Sequence, residues 1–170
     1  MTMRIIFGNI LDAEADAILL SVDGNRRGLE GNLARQFERR FPDWGDIQRT
    51  IHSPIPLGRT VAVPWNGDCP WRVLLIASTL HHLDVLSDAD KQLVVRNAFF
   101  EALVLCQRHS VATLSTTVLR GGWRLQLDQA FLAMQSVWLA SGSARHGLKV
   151  NVFVQQESEM ALLSALQHGA

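Results

Sequence analysis

The sequence predicts an α/β fold built on buried strands, and three observations lead to this prediction. Short apolar runs, such as residues 17–22 and 73–77, alternate with longer stretches of helical spacing, as is typical of mixed α/β layers. Two glycine-containing loops begin where predicted strands end. A length of 170 residues with 48% hydrophobic side chains suffices for a substantial core. We therefore expect a single domain over residues 1–170.

The first half of the chain is predicted to contain four strands and an amphipathic helix. After Gly31, apolar residues recur at positions 33, 37 and 41, one every four residues, which predicts the helix. Pro42 ends it, because the residue before a proline disfavours helical geometry. The predicted strands are residues 4–7, 17–22, 60–63 and 73–77, with a short helix or turn over 43–51 and a hairpin-type turn at 66–68.

The second half is predicted to contain three helices and two strands. Ser87, followed three residues later by Asp90, is typical of a helix N-cap, and the helix it opens extends to about residue 109. Another apolar stripe begins at Leu127, and Gly142 ends that helix. The remaining predicted elements are strands at 111–114 and 150–154 and a closing helix around 160–166.

Charge and composition exclude several classes of partner. Sixteen basic and sixteen acidic side chains cancel, so the chain as a whole has no electrostatic attraction for nucleic acid or an anionic membrane. No apolar run is long enough to cross a bilayer, and the first residues lack the order of a secretory signal. Cys69 and Cys106 are far apart and lack metal-ligand spacing, so we expect no metal site. Two isolated cysteines are also typical of a cytoplasmic protein, which is the location that we expect. We expect no cofactor. We expect Cys106 to be buried and Cys69 to be an exposed thiol.

The two glycine-containing loops predict a ligand site. The first covers residues 21–31 and follows the apolar run 15–22, and the second covers residues 115–122 and follows 111–114. In an α/β protein, ligands bind beyond the carboxyl ends of parallel strands, so two such loops indicate one shared pocket. Gly28 and Gly31 in the first loop, and Gly121 and Gly122 in the second, allow sharp turns or close approach to a ligand.

Four short segments resemble the macro domain family, whose members bind ADP-ribose and related nucleotides. They are Gly8-Asn9-Ile10, Asp16-Ala17-Ile18-Leu19, Gly28-Leu29-Glu30-Gly31-Asn32-Leu33 and Leu114-Ser115-Thr116. The segment Pro54-Ile55-Pro56-Leu57-Gly58 is also similar to a family motif. The resemblance implies a three-layer α/β/α sandwich around a central mixed sheet, and a ligand that is ADP-ribose or a related nucleotide.

The resemblance also implies which residues contact that ligand. They are Asn9, Ile10, Ser21, Val22, Gly28, Leu29, Gly31, Ser115, Thr116, Thr117, Val118, Arg120, Gly121, Gly122 and Trp123. Three positions differ from the family pattern. Asp23 replaces a ribose-contacting asparagine, Asn9 an adenine-contacting aspartate, and Thr117 a glycine of the phosphate loop.

Two alternative functions remain open at this point. In hydrolytic relatives the positions of Asp23 and Glu30 help to activate water, so both are candidate catalytic residues for hydrolysis of an ADP-ribosyl or O-acetyl-ADP-ribose bond. Glu30 also suits a purely structural role as an acid at a helix N-terminus. The other alternative is a protein-interaction module, in which Trp65, Trp71 and Trp123 form an exposed aromatic patch that binds a protein partner.

Overall fold

The computed structural model describes residues 3–25, 30–52, 54–65, 69–122, 124–142 and 147–168. Within these residues the strands are β1 (Arg4–Phe7), β2 (Ala17–Asp23), β3 (Thr60–Pro64), β4 (Val73–Leu80), β5 (Thr113–Thr117) and β6 (Lys149–Val154). The helices are α1 (Asn32–Arg40), α2 (Trp44–Thr50), α3 (Asp88–Arg108), α4 (Leu127–Ser141) and α5 (Glu157–His168), and a 3₁₀ turn covers Ile10–Asp12. The predicted alternation of strands and helices is confirmed.

All six strands form one mixed sheet in the order β1-β6-β5-β2-β4-β3. Every neighbouring pair is parallel except β3 and β4, which are antiparallel. The central strand β2 pairs with both β4 and β5, so that Ile18 lies opposite Leu74 on one side and Ser115 on the other. The turn predicted at 66–68, between β3 and β4, lies outside the described residues.

Helices cover both faces of the sheet and make it the middle of three layers. Alternate residues of a strand point to opposite faces. On β2, Ile18 and Leu20 pack with the residues of α1 and α2, whereas Ala17 and Leu19 pack with those of α3, α4 and α5. The three-layer α/β/α sandwich with a central mixed sheet is therefore confirmed. No helix in the described part of the chain is long and apolar enough to cross a membrane.

An aromatic cluster fills the core on the α1 side of the sheet. The ring centroids of Phe37 and Trp71 are 5.8 Å apart, and that of Phe37 is 5.3 Å from that of Trp44. Trp71 is 1% exposed and Trp65 is 7% exposed. The expectation that both tryptophans form an exposed patch is wrong, because both side chains pack in the core with residues of α1 and α2. The third predicted member, Trp123, lies outside the described residues.

Strand β5 begins and ends later than the sequence predicts. Residue 111 was expected in the strand, but the N–H of Val111 donates to the carbonyl of Cys106, which extends the end of α3. Ser110 has a φ of 53° and turns the chain after that helix. The strand therefore starts at Thr113 and includes residues 115–117, which the sequence placed in a loop.

Both cysteines are free, and their surroundings make them poor nucleophiles. Cys106 is fully buried, and burial together with the nearby charge of Asp16 raises the pKa of its thiol to about 12. Cys69 is half-buried rather than exposed as expected, and its thiol donates to the carbonyl of Trp71 over 3.3 Å. Burial raises the pKa of the Cys69 thiol as well, since a thiolate is poorly solvated there.

Asp16 joins three segments at the amino-terminal edge of the sheet. Its Oδ2 accepts from the N–H groups of Ala112 at 2.7 Å and Thr113 at 3.0 Å, and its Oδ1 is 3.4 Å from Nε of Arg72. Burial raises the pKa of Asp16, but these N–H donors and the Arg72 guanidinium lower it more. The pKa of Asp16 is therefore below its ordinary value.

We expect Asp16→Asn to lower the free energy of unfolding by about 1 kcal/mol at pH 7, since solvent screens this partly exposed carboxylate. A group with a lowered pKa stabilises the fold above its unfolded pKa and loses this effect as pH falls through its folded pKa. The difference from the wild type should therefore shrink below about pH 4. Urea unfolding at pH 7 and pH 3 measures it. Asp12→Asn, which removes an exposed ion pair with Arg40, is the matched control and should cost less than about 0.5 kcal/mol. A difference that does not vary with pH would contradict this assignment.

Candidate functional site

A cleft opens at the carboxyl-terminal edge of the sheet, above the ends of β1, β2, β5 and β6. It encloses about 1080 Å³ of empty space, counting the open solvent at its mouth. Among the residues predicted for the site, those that line it are Ile10, Ser21, Val22, Asp23, Glu30, Gly31, Thr117, Val118, Arg120 and Gly122. The two loops therefore meet at one cleft.

Other predicted residues lie beside the cleft rather than in its wall. Asn9 is exposed, and its Oδ1 accepts from the N–H of Leu11 to cap the 3₁₀ turn. Ser115 and Thr116 are fully buried within β5. Gly121 packs behind the wall, against the carbonyl of Thr79. Three further candidates, Gly28, Leu29 and Trp123, lie outside the described residues.

The first loop brings the N-terminus of α1 to the cleft. Gly31 precedes the helix and packs so closely on β2 that an added Cβ would lie 2.9 Å from the carbonyl oxygen of Ser21. The N-cap residue, Gly31, has no side chain that could cap the helix, and Asn32 and Leu33 of its first turn line the cleft. The first N–H groups of a helix lack partners within the helix and carry partial positive charge, which favours an anion beside them.

The second loop turns at two consecutive glycines. Gly121 has a φ of 57° and Gly122 a φ of 66°, a backbone region that residues with a Cβ rarely adopt. These positive φ values agree with the sharp turn that the sequence analysis expects at the two glycines. Beyond them α4 begins at Leu127, which lines the cleft, and its N-cap Gln126 makes no side-chain capping bond.

Asp23 lies at the end of β2, and each oxygen of its carboxylate has a hydrogen-bond partner. The side chain is 6% exposed. Its Oδ1 accepts from the N–H of Asn25 at 3.0 Å, and its Oδ2 is 2.9 Å from Nδ1 of His82. A buried carboxylate needs such partners, because removing its charge from water is otherwise costly. His82 is therefore a side-chain partner of Asp23, and the sequence could not predict this contact because 59 positions separate the two residues.

Glu30 lies opposite Asp23 at the start of α1. The N–H of Asp23 donates to the carbonyl of Glu30 over 2.6 Å, so the two backbones are joined across the loop. The Glu30 carboxylate is partly exposed and lies 3.9 Å from Nη2 of Arg35, one turn along the helix. The structure thus brings both candidate carboxylates to the same rim, with a cation or an imidazole beside each.

Arg124 contacts the segment that follows β4. Its guanidinium donates to the carbonyl of His82 at 2.9 Å and to that of Asp84 at 3.1 Å. Because His82 also contacts Asp23, hydrogen bonds join the end of β2, the segment after β4 and Arg124, which follows the second loop. Arg120 lines the wall of the cleft, and its Nε donates to the carbonyl of Leu125 over 3.0 Å.

Sequence reasoning missed one wall of the cleft. The end of β6, the two residues after it and the first turn of α5 form this wall, and the residues are Phe153, Val154, Gln155, Gln156 and Glu159. Leu33 and Gln36 of α1 also line the cleft and were not predicted. The sequence could have predicted this wall, because residues 150–154 were already predicted to form a strand. If that strand is parallel to its neighbours, the residues after it reach the same edge of the sheet as the two loops.

Comparison with known proteins identifies the fold. No protein-family model and no curated protein matches the sequence. Solved structures do match: a macrodomain of Oceanobacillus iheyensis with MES bound has a TM-score of 0.82 at 13% identity, over 96% of this chain and 89% of that one. A Trypanosoma brucei macrodomain in complex with ADP-ribose has a TM-score of 0.78 at 14% identity, over 96% of this chain and 69% of that one.

A third match is part of a larger protein. The alphavirus structure P23pro-zbd has a TM-score of 0.74 at 15% identity and covers 99% of this chain, but this chain spans only 24% of it. The chain thus has the macrodomain fold, in the divergent form that the short sequence motifs predicted.

Proposed function

We propose that this protein binds ADP-ribose or a related nucleotide diphosphate in the cleft. The observation that carries the proposal is the N-terminus of α1, which begins after Gly31 and lines the cleft together with the loop that turns at Gly121 and Gly122. Backbone N–H groups at a helix start, with a close-packed glycine before them, suit a diphosphate. Trypanosoma brucei macrodomains of the same fold are described in complex with ADP-ribose and with ADP, which supports this choice of ligand.

Charge at the rim agrees with the proposal. Arg120 lines the cleft, and a guanidinium is a strong donor to phosphate oxygens. Asp23, at the end of β2, is buried, and its Oδ2 lies 2.9 Å from Nδ1 of His82. Glu30 likewise lies beside Arg35.

Calorimetry with ADP-ribose and ADP tests the proposal. We expect saturable binding with a dissociation constant below about 1 mM. Arg120→Ala should weaken the affinity for ADP-ribose about fivefold to fiftyfold, because a charge-assisted hydrogen bond to phosphate is lost. Arg49→Ala, which removes a cation from the exposed end of α2, is the matched control and should leave the affinity unchanged. Absence of heat with both ligands at millimolar concentration would overturn the proposal.

Hydrolysis by Glu30 and Asp23 stays a prediction, as do a protein partner and a cytoplasmic location.

A further inference from the structure

We infer that binding of the ligand is coupled to uptake of a proton by His82, so that the affinity of the cleft for ADP-ribose falls as the pH rises. This inference rests on the proposed function, and it concerns the regulation of that same site. Two observations support it: the charge of the cleft wall and the contact between Asp23 and His82.

The wall of the cleft contains more acidic than basic side chains. Among the described residues that line it, Asp23, Glu30 and Glu159 are acidic, and Arg120 is basic. Three carboxylates beside one guanidinium leave an excess of negative charge. A diphosphate is itself an anion, so this excess opposes its binding. A diphosphate site therefore needs additional positive charge beside these carboxylates.

Glu30 and Asp23 differ in the kind of partner that supplies this charge. Nη2 of Arg35 lies 3.9 Å from Oε2 of Glu30. A guanidinium remains protonated at every ordinary pH, so the compensation of Glu30 is permanent. The partner of Asp23 is the imidazole of His82, and an imidazole has a positive charge only when both of its nitrogens are protonated.

The geometry of the pair allows His82 to gain a proton without losing its contact. Nδ1 of His82 donates to Oδ2 of Asp23 over 2.9 Å. Because this bond uses the hydrogen on Nδ1, a further proton is added at Nε2. The imidazole is 33% exposed and can exchange protons with solvent, whereas the Asp23 side chain is 6% exposed and poorly screened. Protonation thus changes the charge of the pair and leaves the hydrogen bond intact.

The direction of the pH effect follows from this change of charge. With a neutral His82, the Asp23 carboxylate leaves a net negative charge in the wall. With a protonated His82, the pair is neutral and repels a diphosphate less. Coupling between two bound species is reciprocal, so a bound diphosphate also favours the protonated imidazole. Histidine is the side chain that ordinarily changes charge between about pH 5 and pH 8, so the affinity should fall over this range.

Other charged and titratable groups face the pair from several elements. They are Glu30 and Arg35 at the start of α1, His81 and Asp84 beside His82, and Arg120 and Arg124 after β5. The arginines keep their charge over this range of pH. The imidazole of His81 is 3.3 Å from Oδ2 of Asp84 and 3.0 Å from the carbonyl of Ile55. Of the two histidines, His82 is therefore the one that contacts a carboxylate of the cleft wall.

Calorimetry with ADP-ribose between about pH 6 and pH 8.5, in buffers of different ionisation enthalpy, tests the inference. ADP-ribose is the probe because it lacks the terminal phosphate of ADP, which itself takes up a proton near about pH 6. We expect binding about threefold to tenfold tighter at the lower pH than at the higher one. Linkage then requires uptake of about 0.3–0.5 proton per ligand where the affinity changes most steeply.

Two variants assign the proton to the pair. His82→Gln keeps a donor for Asp23 but cannot take up a proton. Its proton uptake should be lost, and its affinity at every pH should equal that of the wild type at the highest pH. Asp23→Asn removes the negative charge itself, and it should bind ADP-ribose about threefold to tenfold more tightly than the wild type at the highest pH.

His168→Gln is the matched control. His168 is exposed at the end of α5, and the preceding residue, Gln167, donates to the carbonyl of Met3 at the opposite edge of the sheet. Removal of this imidazole should leave both the pH dependence and the proton uptake unchanged. Circular dichroism and thermal unfolding show whether each variant retains the fold.

The outcomes separate this inference from the proposed function. An affinity for ADP-ribose that does not vary with pH would overturn the inference and leave nucleotide binding intact. Proton uptake that persists in His82→Gln would also overturn it, because another group would then take up the proton. Asp23→Asn that binds no more tightly than the wild type would overturn the argument from charge. Failure of the wild type to bind ADP-ribose at any pH would overturn the proposed function and this inference together.

Discussion

Replacement of Gly121 by alanine should weaken the affinity for ADP-ribose at least about tenfold and lower the free energy of unfolding by about 2–4 kcal/mol. Two effects combine. The φ of 57° at this position is unfavourable for any residue with a Cβ, at a cost of about 1–2 kcal/mol. The added Cβ would also lie 2.7 Å from the carbonyl oxygen of Thr79, which belongs to β4 and cannot move without disturbing the sheet. The loop must then shift, and the phosphate-binding surface that we propose shifts with it.

Gly142 provides the control for backbone strain alone. Its φ is 67°, close to that of Gly121, but an added Cβ would meet no atom within 4 Å. Gly142→Ala should therefore cost about 1–2 kcal/mol and leave the affinity for ADP-ribose unchanged. Urea unfolding and calorimetry measure both quantities. Equal losses of stability in the two variants would show that the contact with Thr79 contributes nothing.

Replacement of Trp71 by alanine should lower the free energy of unfolding by about 3–5 kcal/mol, the usual range for removal of a buried aromatic ring. Trp71 is 1% exposed, and its ring centroid lies 5.8 Å from that of Phe37 and 5.6 Å from that of Phe41. Phe37 belongs to α1, so the cavity lies directly beneath the helix whose N-terminus faces the cleft. We expect the affinity for ADP-ribose to fall as well, because Phe37 of α1 loses the ring against which it packs.

Trp71→Phe separates packing from polar contacts. The indole Nε1 of Trp71 is buried, and it has no hydrogen-bond partner among the described residues. Replacement by phenylalanine thus removes volume but no hydrogen bond. It should lower the free energy of unfolding by less than half as much as Trp71→Ala does. Denaturant unfolding gives both values. A cost below about 1 kcal/mol for Trp71→Ala would contradict the central place of this ring in the core.

Local patterns in the sequence account for most of the fold. Helix α3 was predicted because Ser87 caps it and its Oγ accepts from the N–H of Asp90, a contact between residues three positions apart. Helix α4 ends at Gly142 because glycine adopts the left-handed conformation that its C-terminus requires. Periodicity and capping are short-range signals, and a single sequence contains them.

Such patterns could not predict features that depend on contacts between residues far apart in the chain. Trp71 was placed in an exposed loop because its neighbours are loop residues, but contacts with α1 bury it. The start of β5 was placed two residues early because an apolar Val111 fits a strand as well as it fits the end of a helix. At the candidate site, the sequence predicted the two loops. It did not predict the wall near the start of α5 or the contact of Asp23 with His82, because both bring together residues far apart in the chain.

Hydrogen bonds run from Asp23, in the wall of the cleft, through His82 to Arg124, and they join three segments of the chain. A ligand that enters the cleft does not have to immobilise the Asp23 side chain, which would otherwise cost about 0.5–1.5 kcal/mol of binding free energy. This part of the cleft wall is thus preorganised. The conformational entropy of its side chain is lost when the chain folds rather than when a ligand binds. Weak individual contacts with a ligand can then yield measurable affinity in a cleft whose sequence has diverged widely from that of its structural neighbours.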